Sequence, residues 1–302
     1  MRYYLTRATF GATDLEIDEN EYEDYKESSK VLSSCLSLEK SYEILISNYI
    51  DLENEQLAWA MLGMVRNVSD DDFFNATLLL DRRMANFLAT ARLHIDHLQK
   101  RGGDCMKDQS IEEVKDVIKS FCATEEANKP EYKFMWDLRN EVQHSNLATH
   151  WLSFSTRRMN SFDDPIPKFE SSLNFGSLKS SLATRFKPGE LDAISSDDQV
   201  ELMSITRGYM ESLSTIQVKF REYVTESVNQ ARSKMEEAFC RYREVCEDSL
   251  TYLELWKVNG SDKIVEESAF SLFYDDQRIQ LQDKNRELVN LRNSHVTGKQ
   301  AG

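Results

Sequence analysis

The sequence predicts a mainly α-helical protein with a very long helix in its C-terminal half and a few short β-strands. Three observations carry that expectation. The prolines of the 302-residue chain stand at 130, 165, 167 and 188, so 1–129 and 189–302 lack the strongest helix breaker. Apolar residues recur every three or four positions over long stretches, and cap and stop signals punctuate those stretches. An all-β or collagen-like chain is disfavoured on the same grounds.

Taken in order, Tyr3–Phe10 reads as a strand, followed by an acidic linker. Residues 21–62 read as a helix on the spacing of Leu32, Leu36, Tyr42, Leu45, Tyr49, Leu52 and Leu57. Ser69-Asp70-Asp71-Asp72 is an N-cap with an anionic first turn; the helix it starts closes at Gly102-Gly103 after Lys100 and Arg101. The capping box Ser110-Ile111-Glu112-Glu113 opens a shorter helix to about Thr124. Pro130 then stands near the first turn of a helix over Glu131–Ser145, which exits into extended structure over Leu147–Thr156. Residues 160–195, divided by Pro165, Pro167, Gly176, Pro188 and Gly189, contain a strand-like piece at Ser172–Leu178. They form the best boundary, giving domains 1–160 and 161–302. From Ser195-Ser196-Asp197-Asp198 a helix of about 80 Å extends to about residue 250, long enough to need another long helix or a second subunit. Strands are expected at Tyr252–Val258 and Ala269–Tyr274, then a weak helix.

Composition narrows the function. No apolar leader and no run of about 18 apolar residues is present, so a soluble cytoplasmic protein without membrane contact is expected. Five cysteines, none in a C-x-x-C spacing, argue against a disulfide framework or zinc ribbon. The net charge of −15 opposes generic nucleic-acid binding, but it is unevenly spread. Residues 13–27 hold eight acidic side chains against Lys26, whereas 82–101 hold five basic ones against Asp96. Phosphate-binding glycine loops and G-x-S-x-G are absent, which sets aside kinase, P-loop and serine-hydrolase chemistry. His94, Asp96 and His97 offer a metal pair without a third ligand, and neither metal nor cofactor is expected.

The segment Arg139-Asn140-Glu141-Val142-Gln143-His144 is the most informative. On a helix Arg139, Asn140, Gln143 and His144 share one arc, presenting a cation, two amides and an imidazole to one side. A guanidinium forks phosphate oxygens and an imidazole exchanges a proton near neutral pH, the two needs of phosphodiester cleavage in RNA without a metal. By chance Arg followed five residues later by His occurs about 0.3 times in such a chain, and about 0.02 times with Asn next to the Arg.

Arg139-Asn140-x-x-x-His144 near a helix end resembles the R-x(4–6)-H signature of the HEPN superfamily. Asp81-Arg82-Arg83-x-x-Asn86-Phe87-Leu88 with Asp96-His97 is similar to a helix in bacterial proteins carrying R-N-x-x-x-H. The resemblance implies a helical bundle over about 20–160 that dimerises with its signature helices facing one another. It also implies a metal-independent endoribonuclease in which the 2′-hydroxyl attacks the adjacent phosphate, leaving a cyclic phosphate and a 5′-hydroxyl. His144 is then the acid/base, Arg139 the phosphate-orienting cation and Asn140 a positioning group. Arg82, Arg83, Arg92, Lys100, Arg101, Arg157 and Arg158 would contact RNA, with Asn86, Asp96, His97 and Gln143 in support. A toxin or antiviral role, held by an antitoxin or regulatory protein, follows from the same likeness. Asp137, Glu141 and the long 196–250 helix depart from the family pattern. The residues themselves leave another reading open: Arg139 and His144 as C-terminal helix caps paired with Asp137 or Glu141 in a non-catalytic scaffold. Nucleotide binding without cleavage is a third.

Overall fold

The computed structural model describes residues 1–7, 13–107, 109–144, 151–157, 166–174, 186, 194, 199–245, 252–286, 288 and 291. Among the described residues six α-helices dominate: α1 (Glu19–Val65), α2 (Asp70–Arg101), α3 (Ile111–Asn128), α4 (Pro130–His144), α5 (Leu202–Val245) and α6 (Phe273–Lys284). The strands are β1 (Arg2–Thr6), β2 (Leu15–Ile17), β3 (Trp151–Arg157), β4 (Ile166–Asn174), β5 (Gln199–Glu201), β6 (Leu253–Val258) and β7 (Ile264–Phe270). The expected class, mainly helical with one very long C-terminal helix and short strands, is the observed one; α5 has 44 residues.

The chain divides into two compact units, and they cut across the sequential boundary near 160. The first comprises Met1–Glu43, Asp96–Lys119 and Val218–Arg286; the second comprises Ile44–Ile95, Ser120–Gln217 and Glu287–Gly302.

In the first unit an antiparallel sheet of order β2-β1-β6-β7 sets Tyr4 opposite both Glu16 and Trp256, and Leu255 opposite Ser268. Its apolar residues meet rings from α1 and α5: Tyr3 lies 4.9 Å from Tyr22, Tyr25 lies 5.7 Å from Phe270, and Phe239 lies 5.5 Å from Phe270. Within this unit α5 runs antiparallel to α1, since Arg241 bonds Glu21 while Arg221 forks Glu39. The long helix therefore has its long partner in the same chain. Fully buried Asp275 receives Arg232 at 2.6 Å and also Arg278, tying α6 to α5.

In the second unit the core is a chain of rings: Tyr49, Phe87, Tyr209 and Tyr132, at successive centroid separations of 6.0, 6.0 and 5.4 Å. Arg207 forks Glu53 at 2.7 and 2.8 Å, and the Tyr49 hydroxyl donates to the same carboxylate. A smaller antiparallel sheet, β3-β4-β5, sets Phe154 opposite Phe169 and Leu173 opposite Val200.

The helix starts form as their sequences dictate. Ser110 N–H donates to Glu113 while Glu113 N–H donates back to the Ser110 hydroxyl, and Ser69 and Asp72 do the same at α2. After α2 a 3₁₀ turn covers Gly102–Cys105; a Cβ at Gly103 would stand 2.6 Å from the Ile111 Cα, so only glycine allows this approach.

Several boundaries differ from expectation. The first strand is Arg2–Thr6 rather than Tyr3–Phe10, and residues 8–12 lie outside the described residues. The strand expected at Ser172–Leu178 is Ile166–Asn174, and the last strand is Ile264–Phe270 rather than Ala269–Tyr274. Phe273 and Tyr274 instead start α6: the Phe273 amide donates to the Ser271 hydroxyl, and Asp275 and Asp276 complement the helix N-terminus. α5 begins at Leu202 because Gln199–Glu201 pairs with β4; the Ser195–Asp198 cap lies outside the described residues.

Candidate functional site

Helix α4 is placed by its ends and its apolar side. Pro130, which has no N–H to leave unpaired, opens it, and Tyr132 N–H donates to Lys129 O at 3.1 Å. Tyr132, Phe134, Met135 and Leu138 are buried in the second unit's core, and the other described side chains of the helix are half-buried. The helix runs without interruption through Arg139, Asn140, Gln143 and His144, which keeps the four backbone positions on one arc. The side chains of Gln143 and His144 lie outside the described residues, as do His150 and Arg158.

Arg139 and Asn140 are both half-buried, and the Arg139 Nη1 donates to Asn140 Oδ1 at 3.2 Å. Arg139 Nε is buried and has no acceptor among the described residues. No carboxylate pairs with this guanidinium among those residues, in contrast to Arg207, Arg221 and Arg232. A buried guanidinium N–H without an acceptor costs about 1–3 kcal/mol, so the position is arranged at the expense of stability.

Aromatic and cationic groups surround it. The Arg92 guanidinium of α2 lies 4.2 Å from the Trp136 ring centroid, and Trp136 stacks on Tyr132 at 6.2 Å. Burial pushes the Tyr209 phenol above its ordinary range, with the neighbouring Cys122 thiol adding to the rise; the positive charges of Arg92 and Arg139 oppose it. Tyr132 is raised chiefly by burial too, and then by Cys122.

The remaining sequence-nominated residues are dispersed. Arg83 pairs with Asp51 at 2.7 Å and approaches Glu55 at 3.6 Å, while Arg82 and Asn86 are exposed. Asp96, His97, Lys100 and Arg101 belong to the first unit, where Arg101 donates to the Ser37 hydroxyl at 3.0 Å. At about 100° per residue, Arg82 and Lys100 share one face of α2, Arg83 and Arg101 a second, and Arg92 a third, so the five do not make one stripe. Arg157 ends β3, with its side chain outside the described residues. His94 is fully buried. Among the described residues no group of three or more His, Cys, Asp or Glu is placed to hold a metal. Nor is any described helix long and apolar enough to cross a membrane.

None of Trp136, Tyr209 and Cys122 is nominated by the sequence pattern. Trp136 is half-buried and carries Arg92 on its face. Periodicity could have put Trp136 and Tyr132 one turn apart, but nothing local signals which helix supplies the cation. No known family, curated protein or solved structure matches the chain.

Proposed function

We propose that the chain is a metal-independent endoribonuclease of the HEPN type, with Arg139 and His144 as its reactive pair. The observation that carries this reading is the state of Arg139: a half-buried guanidinium without a carboxylate partner among the described residues, steadied by Asn140, its Nε lacking an acceptor. The planar fork of this half-buried guanidinium suits the oxygens of a phosphodiester. His144, at the last position of the same helix, removes the proton from the RNA 2′-hydroxyl. The alkoxide attacks the adjacent phosphorus, the bond to the 5′-oxygen breaks, and His144, protonated by the first transfer, gives its proton to that oxygen. A cyclic phosphate and a 5′-hydroxyl result. Arg139 stabilises the charge gathering on the non-bridging oxygens, and Asn140 holds Arg139. The family resemblance adds a homodimer with facing signature helices, cytoplasmic RNA as substrate and a toxin or antiviral setting restrained by a protein partner.

The test is incubation of purified protein with total RNA in EDTA, beside Arg139→Ala and His144→Ala. Cleavage in EDTA should leave cyclic-phosphate ends and fall at least about a hundredfold in each variant. Equal rates in all three proteins remove the reading. Absence of cleavage in wild type favours a helical scaffold, for which the carboxylate forks between α1 and α5 speak.

A further inference from the structure

The end of the α1–α2 hairpin has a composition that does not match its exposure. Leu57-Ala58-Trp59-Ala60-Met61-Leu62-Gly63-Met64-Val65 holds no charged residue, yet no residue from Leu57 through Asn75 is buried. Met61, Met64 and Val65 are 56%, 67% and 83% exposed, and Phe74 and Leu78, one turn apart on α2, are 65% and 49% exposed. A helix apolar around its circumference is ordinarily an interior helix. The segment is also well formed. Arg66 forks Asp72 with two bonds of 2.7 Å, Ser69 and Asp72 cap α2 reciprocally, and the Trp59 indole N–H donates to Glu55 at 3.1 Å.

We propose that this hairpin end docks on a second copy of the chain, α1 and α2 of one protomer against the same two helices of its partner about a two-fold axis. Area argues for a copy of itself. The five exposed side chains and their half-buried neighbours present on the order of 800 Å² per copy, the share each partner contributes to a standard stable interface. Charge argues the same way. The α1 arm has no charge from Leu57 to Val65 for an acidic or basic partner to read, whereas an apolar face meets itself without penalty. Exposed Asp70 and Asp71 lie on the α2 arm, where salt screens their mutual repulsion and that of two chains of charge −15. The dimer therefore tightens with salt, opposite to the response of a phosphate contact.

Sedimentation velocity of the full chain from about 1 to 100 µM, in about 0.05 and 0.5 M NaCl, tests this. Wild type should associate through this contact in the micromolar range, to a dimer or, where the signature helices also pair, to larger species, and more tightly in high salt. Met64→Ser, Met64→Glu and Phe74→Glu should each raise Kd about tenfold or more with unchanged helical circular dichroism. Monomer throughout in wild type, or a dimer that none of the three variants weakens, overturns the proposal. RNA cleavage is read separately, so the hairpin contact and the nuclease reading fail independently.

Discussion

Two half-buried arginines, one in each unit, are treated in opposite ways. Arg221 of the first unit gives Nε and Nη2 to the two oxygens of Glu39 at 2.9 and 2.6 Å, gives Nη1 to the Asn285 carbonyl, and lies over the Tyr42 ring. Arg139 of the second unit has the Asn140 side chain and a buried Nε with no acceptor among the described residues. The difference is not a property of the second unit as a whole, because Arg207 there is forked by Glu53. A saturated guanidinium holds helices together; under the proposed reading, the incompletely bonded one at Arg139 is kept for phosphate. The contrast separates positions maintained for stability from positions maintained against it.

Substitutions at the two sites sharpen or break this contrast. The largest effect is expected from Glu39→Ala, which strips the counter-charge from Arg221 and should cost about 3–5 kcal/mol, seen as a marked fall in Tm. Next, Asn140→Asp gives Arg139 the carboxylate it lacks. Tm should hold or rise by a few degrees while RNA cleavage falls about tenfold or more; a rise in cleavage would end the account of Arg139 as a phosphate group. The cap serines come third. Ser110→Ala in the first unit and Ser69→Ala in the second should each lower Tm by roughly 2–4 °C, because both units start helices by the same device. Acid separates the two caps. Backbone and hydroxyl donors of Ser110 hold the Glu113 carboxyl below its ordinary range, whereas the Arg66 fork leads the causes that hold Asp72 well below. Folded-state values depressed below unfolded ones mean stability present above the ordinary carboxylate range and lost as pH falls through the folded value. In Tm measured against pH, the Ser110→Ala difference should shrink at a higher pH than the difference from Arg66→Gln. Smallest is Arg139→Gln, expected to leave Tm within about 2 °C of wild type, since the side chain lost was incompletely bonded.

Legibility followed the range of the forces involved. Both capping boxes, Pro130 at the start of α4 and the closing glycines of α2 are local, and each stands where the sequence placed it. The Arg139–His144 spacing was equally local, so the helix that carries it was readable in full. What escaped depends on partners distant in sequence. Gln199–Glu201 was taken for the start of a helix because its pairing with β4 has no local signature. Phe273 and Tyr274 looked like strand residues on aromatic content alone, while the Ser271 cap and the Asp275 ion pairs decide for helix. The stacking of Arg92 on Trp136, and the lack of a carboxylate opposite Arg139 among the described residues, needed the fold.

The pairing of β1 with β6 has a consequence for the order in which the molecule is made. Arg2 finds its neighbour at Val258, so β1 can pair with β2 at once but waits for β6, far along the chain, before its other edge is covered. Apart from Glu287–Gly302, the second unit is made by Gln217, its small sheet included. That unit can settle during synthesis while Met1–Glu43, an acidic segment that resists premature association, stays unsatisfied until Leu253–Val258 emerges. The appearance of β6, rather than of β1, therefore sets the clock for the first unit's sheet.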